Sequence, residues 1–240
     1  MNPGEPTRRQ FEQTHWSTVM RVDGTPPANA RAALMALCQR FWYPVYAYLR
    51  CFGHGPEMAQ EQTQRFLRYL FAHLHEGGSA RTQGRFRQYL LARLREFLSG
   101  TVSPDSAAAA VTDFDTPPAE LESRFQSDNA GATSPEQAFQ QSFALELLAR
   151  ALARLQDEAR ETGRSDMFEV LQPFLAVEPT AEEADALAQR LKVRAVVLAV
   201  ALRRLRQRYR ELIDSELADT VASADEMLAE QQALLAVLAG

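Results

Sequence analysis

Apolar positions along this chain recur at the three- and four-residue spacing of helices, with no convincing strand alternation, so the pattern predicts an all-α protein. Residues 1 to 28 are polar and proline-containing except for Phe11, Trp16 and Val19, which are spaced to pin a short helix. From Ala30 the positions Ala33, Leu34, Leu37, Cys38 and Phe41 mark an amphipathic helix. Pro44 predicts a break and a restart, because proline is tolerated in a first turn and not in a helix interior. The next helix carries Val45, Tyr46, Leu49 and Phe52 and stops at Gly53 to Gly55. Pro56 opens a third, with Ala59, Thr63, Phe66, Leu67, Leu70, Phe71 and Leu74 spaced for burial, and Gly77-Gly78 closes it. A fourth runs from Arg85 to Leu98, with Phe86, Tyr89, Leu90, Leu94 and Phe97 on its core side.

Residues 100–134 lose this periodicity and are rich in Ala, Ser, Thr, Asp and Pro, the composition of a solvated tether. Ser134-Pro135-Glu136-Gln137 then has the form of a capping box with proline at the first helical position, and its helix runs through Leu145, Leu148, Leu152 and Leu155. Thr180-Ala-Glu-Glu183 is a second box, opening a short helix that ends near Leu191. Lys192-Val193 is the break before a long helix through Arg210, and Ser223-Ala-Asp-Glu226 starts a terminal amphipathic helix with Met227, Leu228, Leu234, Leu235 and Leu238. The expected organisation is a helical domain over 1–99, a flexible acidic linker over 100–134, a second helical domain over 135–222 and a C-terminal helix over 223–240. A short helix, a tight turn and a longer arginine-bearing helix outline a helix-turn-helix within that second domain.

Composition narrows the function. No run approaches the roughly 18 uncharged apolar residues of a spanning helix, and the N-terminal MNPGEPTRRQFEQ lacks the apolar core of a secretion signal, so a cytoplasmic chain without membrane contact is expected. Cys38 and Cys51 lie in apolar helical patterns without metal or redox spacing and read as buried thiols. His15, His54, His73 and His75 show no ligand spacing, so no metal is expected. No phosphate-cradling glycine loop, nucleophile elbow or paired-carboxylate motif is present, which argues against an enzyme and against any cofactor. The net charge of -5 conceals an asymmetry: five arginines, Arg203, Arg204, Arg206, Arg208 and Arg210, fall within eight residues, and nothing after Arg210 is basic. Acids collect in the linker, among them Glu120, Glu122 and Asp128, and in the tail, among them Glu216, Asp225 and Glu230. The aromatic cluster Phe41, Trp42, Tyr43, Tyr46, Tyr48 suits core packing better than stacking on unpaired bases.

The segments FWYPVYAYLRCFGHGPEMAQEQTQRFLRYLF (Phe41 to Phe71) and GRFRQYLLARLREFL (Gly84 to Leu98) carry a resemblance. They are similar, in order and spacing, to the polymerase-binding domain of extracytoplasmic-function (ECF) sigma factors, whose block reads approximately WYPLYAYVRRRGH, an acidic DAED helix and GRFRSFLLASLKHFL. ALRRLRQRYRELIDSELADTVAS (Ala201 to Ser223) resembles the end of that family's promoter-reading helix and its extension. The resemblance implies a first domain that binds core RNA polymerase and melts the upstream promoter element, and a second that reads the more distant one. It assigns polymerase contact to Glu57, Gln60, Glu61, Gln64 and Arg65. To DNA it assigns Arg81, Arg85, Arg87, Arg93, Arg194, Arg203, Arg204 and Arg206.

Departures from the family qualify these roles. Met58, Ala59, Gln60 and Glu61 stand where the acidic run belongs, which implies weaker docking to polymerase. A basic run expected after Leu98 is replaced by SGTVSPDSAAAAVTDFD, and the reading helix begins Arg194, Ala195, Val196, Val197, Leu198, Ala199, which are poor base readers. Promoter DNA is therefore expected to bind weakly or conditionally. Phosphorylation of Thr63, adding about -1.5 to -2 in charge beside Gln60, would restore acidity and makes a Ser/Thr kinase, or an anti-sigma protein, a further expected partner. The alternative class is a sigma-like paralogue acting as a protein-binding transcription regulator without promoter recognition.

Overall fold

The computed structural model describes residues 28–73, 85–100, 118–221 and 223–239, and all regular structure among them is helical. The expected short helix near Trp16, Leu74, Gly77-Gly78 and Arg81 fall outside the described residues. Helices α1 (Ala28–Arg40) and α2 (Trp42–Cys51) are separated by Phe41 alone. Pro44 sits in the first turn of α2, where its missing N–H removes no helical bond. Helix α2 ends in a Schellman turn: Gly53 adopts φ 110°, its N–H reaches Arg50 O at 3.1 Å, and His54 N–H reaches Leu49 O at 3.1 Å. Pro56 is then the first residue of α3 (Pro56–His73), as the sequence predicts, and α4 spans Phe86–Leu98.

Two compact units divide the chain. One comprises the described residues up to Glu146 together with those from Leu217 onward; the other is Leu147–Glu216. This departs from the expected partition in three places. Residues 118–134 are not a tether: α5 (Pro118–Asp128) folds there, with Leu121 and Asn129 buried. The first half of α6 (Pro135–Glu161) belongs to the first unit, because Phe139 and Phe143 complete its core. The Phe41 ring meets Phe143 at 5.2 Å in a stacked pair and Phe86 at 5.1 Å edge-on. Trp42, Tyr46, Phe66 and Phe139 fill the space around them.

Glu122 and Asp128 of the expected tether, with Glu136 of the Ser134 box, tie α5 and α6 to α2. Tyr43 donates to Asp128 Oδ2 at 3.0 Å, Tyr46 to Glu122 Oε2 at 3.0 Å and Tyr48 to Glu136 Oε1 at 3.3 Å. Arg50 forks onto Glu122 at 2.8 and 2.6 Å, and Arg95 reaches Glu136 at 2.9 Å. A buried tyrosine ring must find a partner for its hydroxyl, and these carboxylates meet that need from the far side of the interface. The aromatic cluster is thus core, with Tyr43, Tyr46 and Tyr48 all under 5 % exposed.

Helix α10 (Ala224–Ala239), expected as a separate tail, also belongs to the first unit. Ser223 caps it, accepting from Glu226 N–H at 3.2 Å, and Met227 and Leu234 are buried. Phe86 N–H donates to Thr220 O at 2.9 Å and Arg40 pairs with Asp219 at 2.8 Å, so the chain leading into α10 is fastened to α4 and α1.

In the second unit, α7 (Ser165–Leu171) continues into a 3-10 turn over Gln172–Phe174, followed by α8 (Ala181–Arg190) and α9 (Ala195–Ala218). The Thr180 capping box forms in both directions, with Glu183 N–H on Thr180 Oγ1 and Thr180 N–H on the Glu183 carboxylate. Two apolar clusters hold the unit, Leu155, Phe168 and Leu212 in one and Leu171, Ala188, Leu198 and Leu202 in the other.

Hydrogen bonds from Arg50 hold the Glu122 carboxyl down, from the ordinary 4.5 to about 2, against the opposing effect of burial. Its stabilising effect is complete above the unfolded value and is lost as pH falls toward the folded one. Glu122→Gln is expected to lower stability near neutral pH by about 2–4 kcal/mol, with the gap to wild type closing as pH is lowered from about 5 toward 2. Urea denaturation followed by circular dichroism across that range measures it.

Candidate functional site

Helix α3 separates cleanly into two faces. Ala59, Thr63, Phe66, Leu67 and Leu70 are buried, while Glu57 and Glu61 are exposed and Gln60, Gln64 and Arg65 are half-buried. Positions 57, 60, 61, 64 and 65 follow i, i+3, i+4, i+7, i+8 spacing, so the residues expected to meet polymerase share one stripe. Met58, beside it, is 46 % exposed. The stripe offers two carboxylates, two amides and one guanidinium, a surface for polar contact.

Thr63 does not belong to that surface. It is 0 % exposed, and its hydroxyl donates to Ala59 O at 2.7 Å on the core side of α3. A phosphate there would place close to two negative charges in an apolar interior, so Thr63 is a packing residue and not an accessible regulatory site.

The turn between α8 and α9 is tightly determined. Lys192 is the one non-glycine residue with positive φ among the described residues, at 53°. Its N–H bonds to Gln189 O at 3.1 Å, and Val193 N–H bonds to Ala188 O at 3.0 Å. This repeats the Schellman geometry of Gly53, and also that of Gly163 after α6, with a lysine in the glycine place. Arg194 then starts the next helix, its carbonyl accepting from Val197 at 2.9 Å and Leu198 at 3.1 Å. The inner face of α9 is Leu198, Leu202, Leu205 and Tyr209. Its outer face carries Val196 at 74 %, Val197 at 40 % and Val200 at 45 % exposure, then the exposed Arg203 and Arg204.

The arginines expected to touch DNA fall into distinct groups. Arg87 is buried: its Nη2 donates to Glu230 Oε2 at 2.9 Å, its Nε lies 2.6 Å from Oε1, and its guanidinium stands 5.4 Å over the Phe143 ring. Arg85 shares the same carboxylate at 3.2 Å, and Glu230 is itself 1 % exposed. Arg87 is therefore a structural ion-pair partner, contrary to the role expected of it, because a buried guanidinium without Glu230 would be prohibitive. Arg93 pairs with Glu96 at 2.8 Å and stacks 5.5 Å over Tyr89. Arg206 turns back onto the 3-10 turn, donating to Phe174 O at 3.0 and 2.7 Å, to Val177 O at 2.7 Å and to Glu178, and so caps that segment instead of facing outward. Arg194, Arg203 and Arg204 remain at the surface. Among the described residues no group of His, Cys, Asp and Glu could hold a metal ion.

Sequence reasoning missed Glu122, Asp128, Glu136 and Glu230 as structural anions. For Glu122, Asp128 and Glu136 the readable signal was the run of tyrosines at 43, 46 and 48, each of which needs an acceptor once its ring is buried; Glu230, whose partners are Arg85 and Arg87, had no such signal.

Replacing Lys192 with glycine removes the cost of a side chain in the left-handed region and is expected to stabilise the chain by about 1 kcal/mol, about 2–4 °C in Tm. Arg206→Ala is expected to cost about 1–3 kcal/mol by uncapping two carbonyls, whereas Arg203→Ala or Arg204→Ala stays within about 0.5 kcal/mol. Thermal melts of the four variants check this ordering. No protein-family model, curated protein or solved structure matches the chain in comparison with known proteins.

Proposed function

We propose that this chain is a sigma-type subunit of RNA polymerase, resembling the ECF group, that acts in transcription initiation without chemistry of its own. The observation that carries the reading is the arrangement of α8, the left-handed turn at Lys192 and α9, which presents Arg194, Arg203 and Arg204 on exposed positions. In this reading it is a helix-turn-helix of a second domain, α9 approaches DNA, and the stripe on α3 meets the polymerase. Three free guanidiniums suit phosphates, and the valines at the start of α9 offer bases only apolar contact, so affinity is sensitive to salt and discriminates little between sequences. Phosphorylation at Thr63 forms no part of this reading, since its hydroxyl is buried and bonded.

The exposed Val196, Val197 and Val200 also favour a second reading, in which the chain is a protein-binding regulator of transcription that does not read promoters. The two separate in binding measurements. Co-elution with core RNA polymerase at moderate salt is expected, and Glu57→Lys with Glu61→Lys is expected to weaken it at least tenfold through like-charge placement at the interface. For duplex DNA in the presence of core enzyme, Arg203→Ala with Arg204→Ala is expected to reduce the slope of log affinity against log salt by about 1.8. Retained co-elution with an unchanged slope would favour the second reading, and no co-elution at all would remove the first.

A further inference from the structure

The second unit contains an open cavity of about 580 Å³ between α6, α7 and α9. Phe168, Leu171, Val196, Val197 and Val200 line it, and the three valines are among the most exposed large apolar side chains of the described chain. Its rim holds Arg164 and Arg204, both exposed, while the other charges there, Glu158 and Arg208, neutralise each other across a 2.7 Å pair. The groove is therefore apolar inside and positive at its edge. What it fits is an amphipathic helix with a small apolar stripe and an acidic character.

The chain itself carries such a helix. On α10 the buried side uses Met227, Glu230 and Leu234, and Leu228, Leu235 and Leu238 project outward at 60 %, 67 % and 45 % exposure. Those leucines are seven and ten residues apart, within an arc of roughly 80° at 100° per residue. Asp225, exposed at the start of the helix, flanks this arc about 60° round from Leu228, and no basic residue follows Arg210 anywhere in the chain. An exposed leucine stripe at the acidic end thus has a counterpart in an arginine-rimmed valine groove.

We infer that this protein forms a homodimer in which the leucine stripe of α10 from each copy seats in the groove beside α9 of the other. A stripe of three leucines in one groove is smaller than the roughly 1,200 Å² at which stable specific interfaces begin, and two-fold repetition doubles it. The contact covers Val200 and Arg204, which the sigma reading assigns to the DNA-facing side of α9, so self-association and DNA binding exclude one another. The inference does not depend on that reading, and its test uses the chain alone, with neither polymerase nor nucleic acid.

Sedimentation of the full chain over a range of concentrations is expected to show the average mass rising toward twice that of the monomer. Val200→Glu and Leu235→Glu, both at exposed positions and each checked for unchanged helical circular dichroism, are each expected to weaken association at least about tenfold. Mixing the two variants is expected to restore part of it, since the mixed pair keeps one intact groove facing one intact helix. A monomer at every concentration would overturn the inference, as would a dimer indifferent to either variant. A dimer lost in Leu235→Glu alone would mean that two α10 helices pair with each other. Failure of the mixture to recover would likewise reject it.

Discussion

The first unit depends on a single arrangement: tyrosine hydroxyls and Arg50 on α2 holding carboxylates on α5 and α6. Rings of Tyr43, Tyr46 and Tyr48 are inside, and each oxygen needs an acceptor. Glu122, Asp128 and Glu136 supply it, and Arg50, Arg124 and Arg95 respectively balance their charge. Burial raises the Tyr46 hydroxyl to about 12, so the phenol stays a donor throughout the physiological range. Removing any one member strands another, which makes the set cooperative in a way that a list of separate bonds would not convey.

The same logic sorts the charged residues elsewhere. Of the arginines expected to touch DNA, Arg87 and Arg206 are consumed by the fold, one by Glu230 and the other by backbone carbonyls. Arg208 is shared between Glu158 and Glu211. Positive charge in the sequence is thus a poor count of positive charge at the surface; the free cations of α9 are fewer and lie next to valines.

Helix positions were legible because proline and glycine punctuate them: Pro44, Gly53, Pro56 and the Thr180 box act within a few residues of chain. The two faces of α3 were legible for the same reason, since a helix repeats its pattern locally, and Thr63 lies in the core where its spacing puts it, which excludes the phosphorylation expected of it. Residues 118–134 were not. Acid-rich segments remain solvated unless partners arrive, and here the partners are on α2, more than seventy residues away. Domain limits failed likewise, because Phe139 and Phe143 look from the sequence like the opening of a second domain and pack instead on Phe41. Pairings across long separations leave no periodic trace.

Glu230 gives that separation a meaning in time. Its partner Arg87 precedes it by 143 residues, and the whole of the second unit is threaded between them. At synthesis rates of about 5–20 residues per second, Arg87 waits roughly 7 to 30 s for its counter-ion. Burying Arg87 before Glu230 has been made would leave its guanidinium without that counter-ion. The first unit is therefore complete only when residues made before and after the whole of the second are both present, and its buried ion pair ties completion of the fold to the late-made α10.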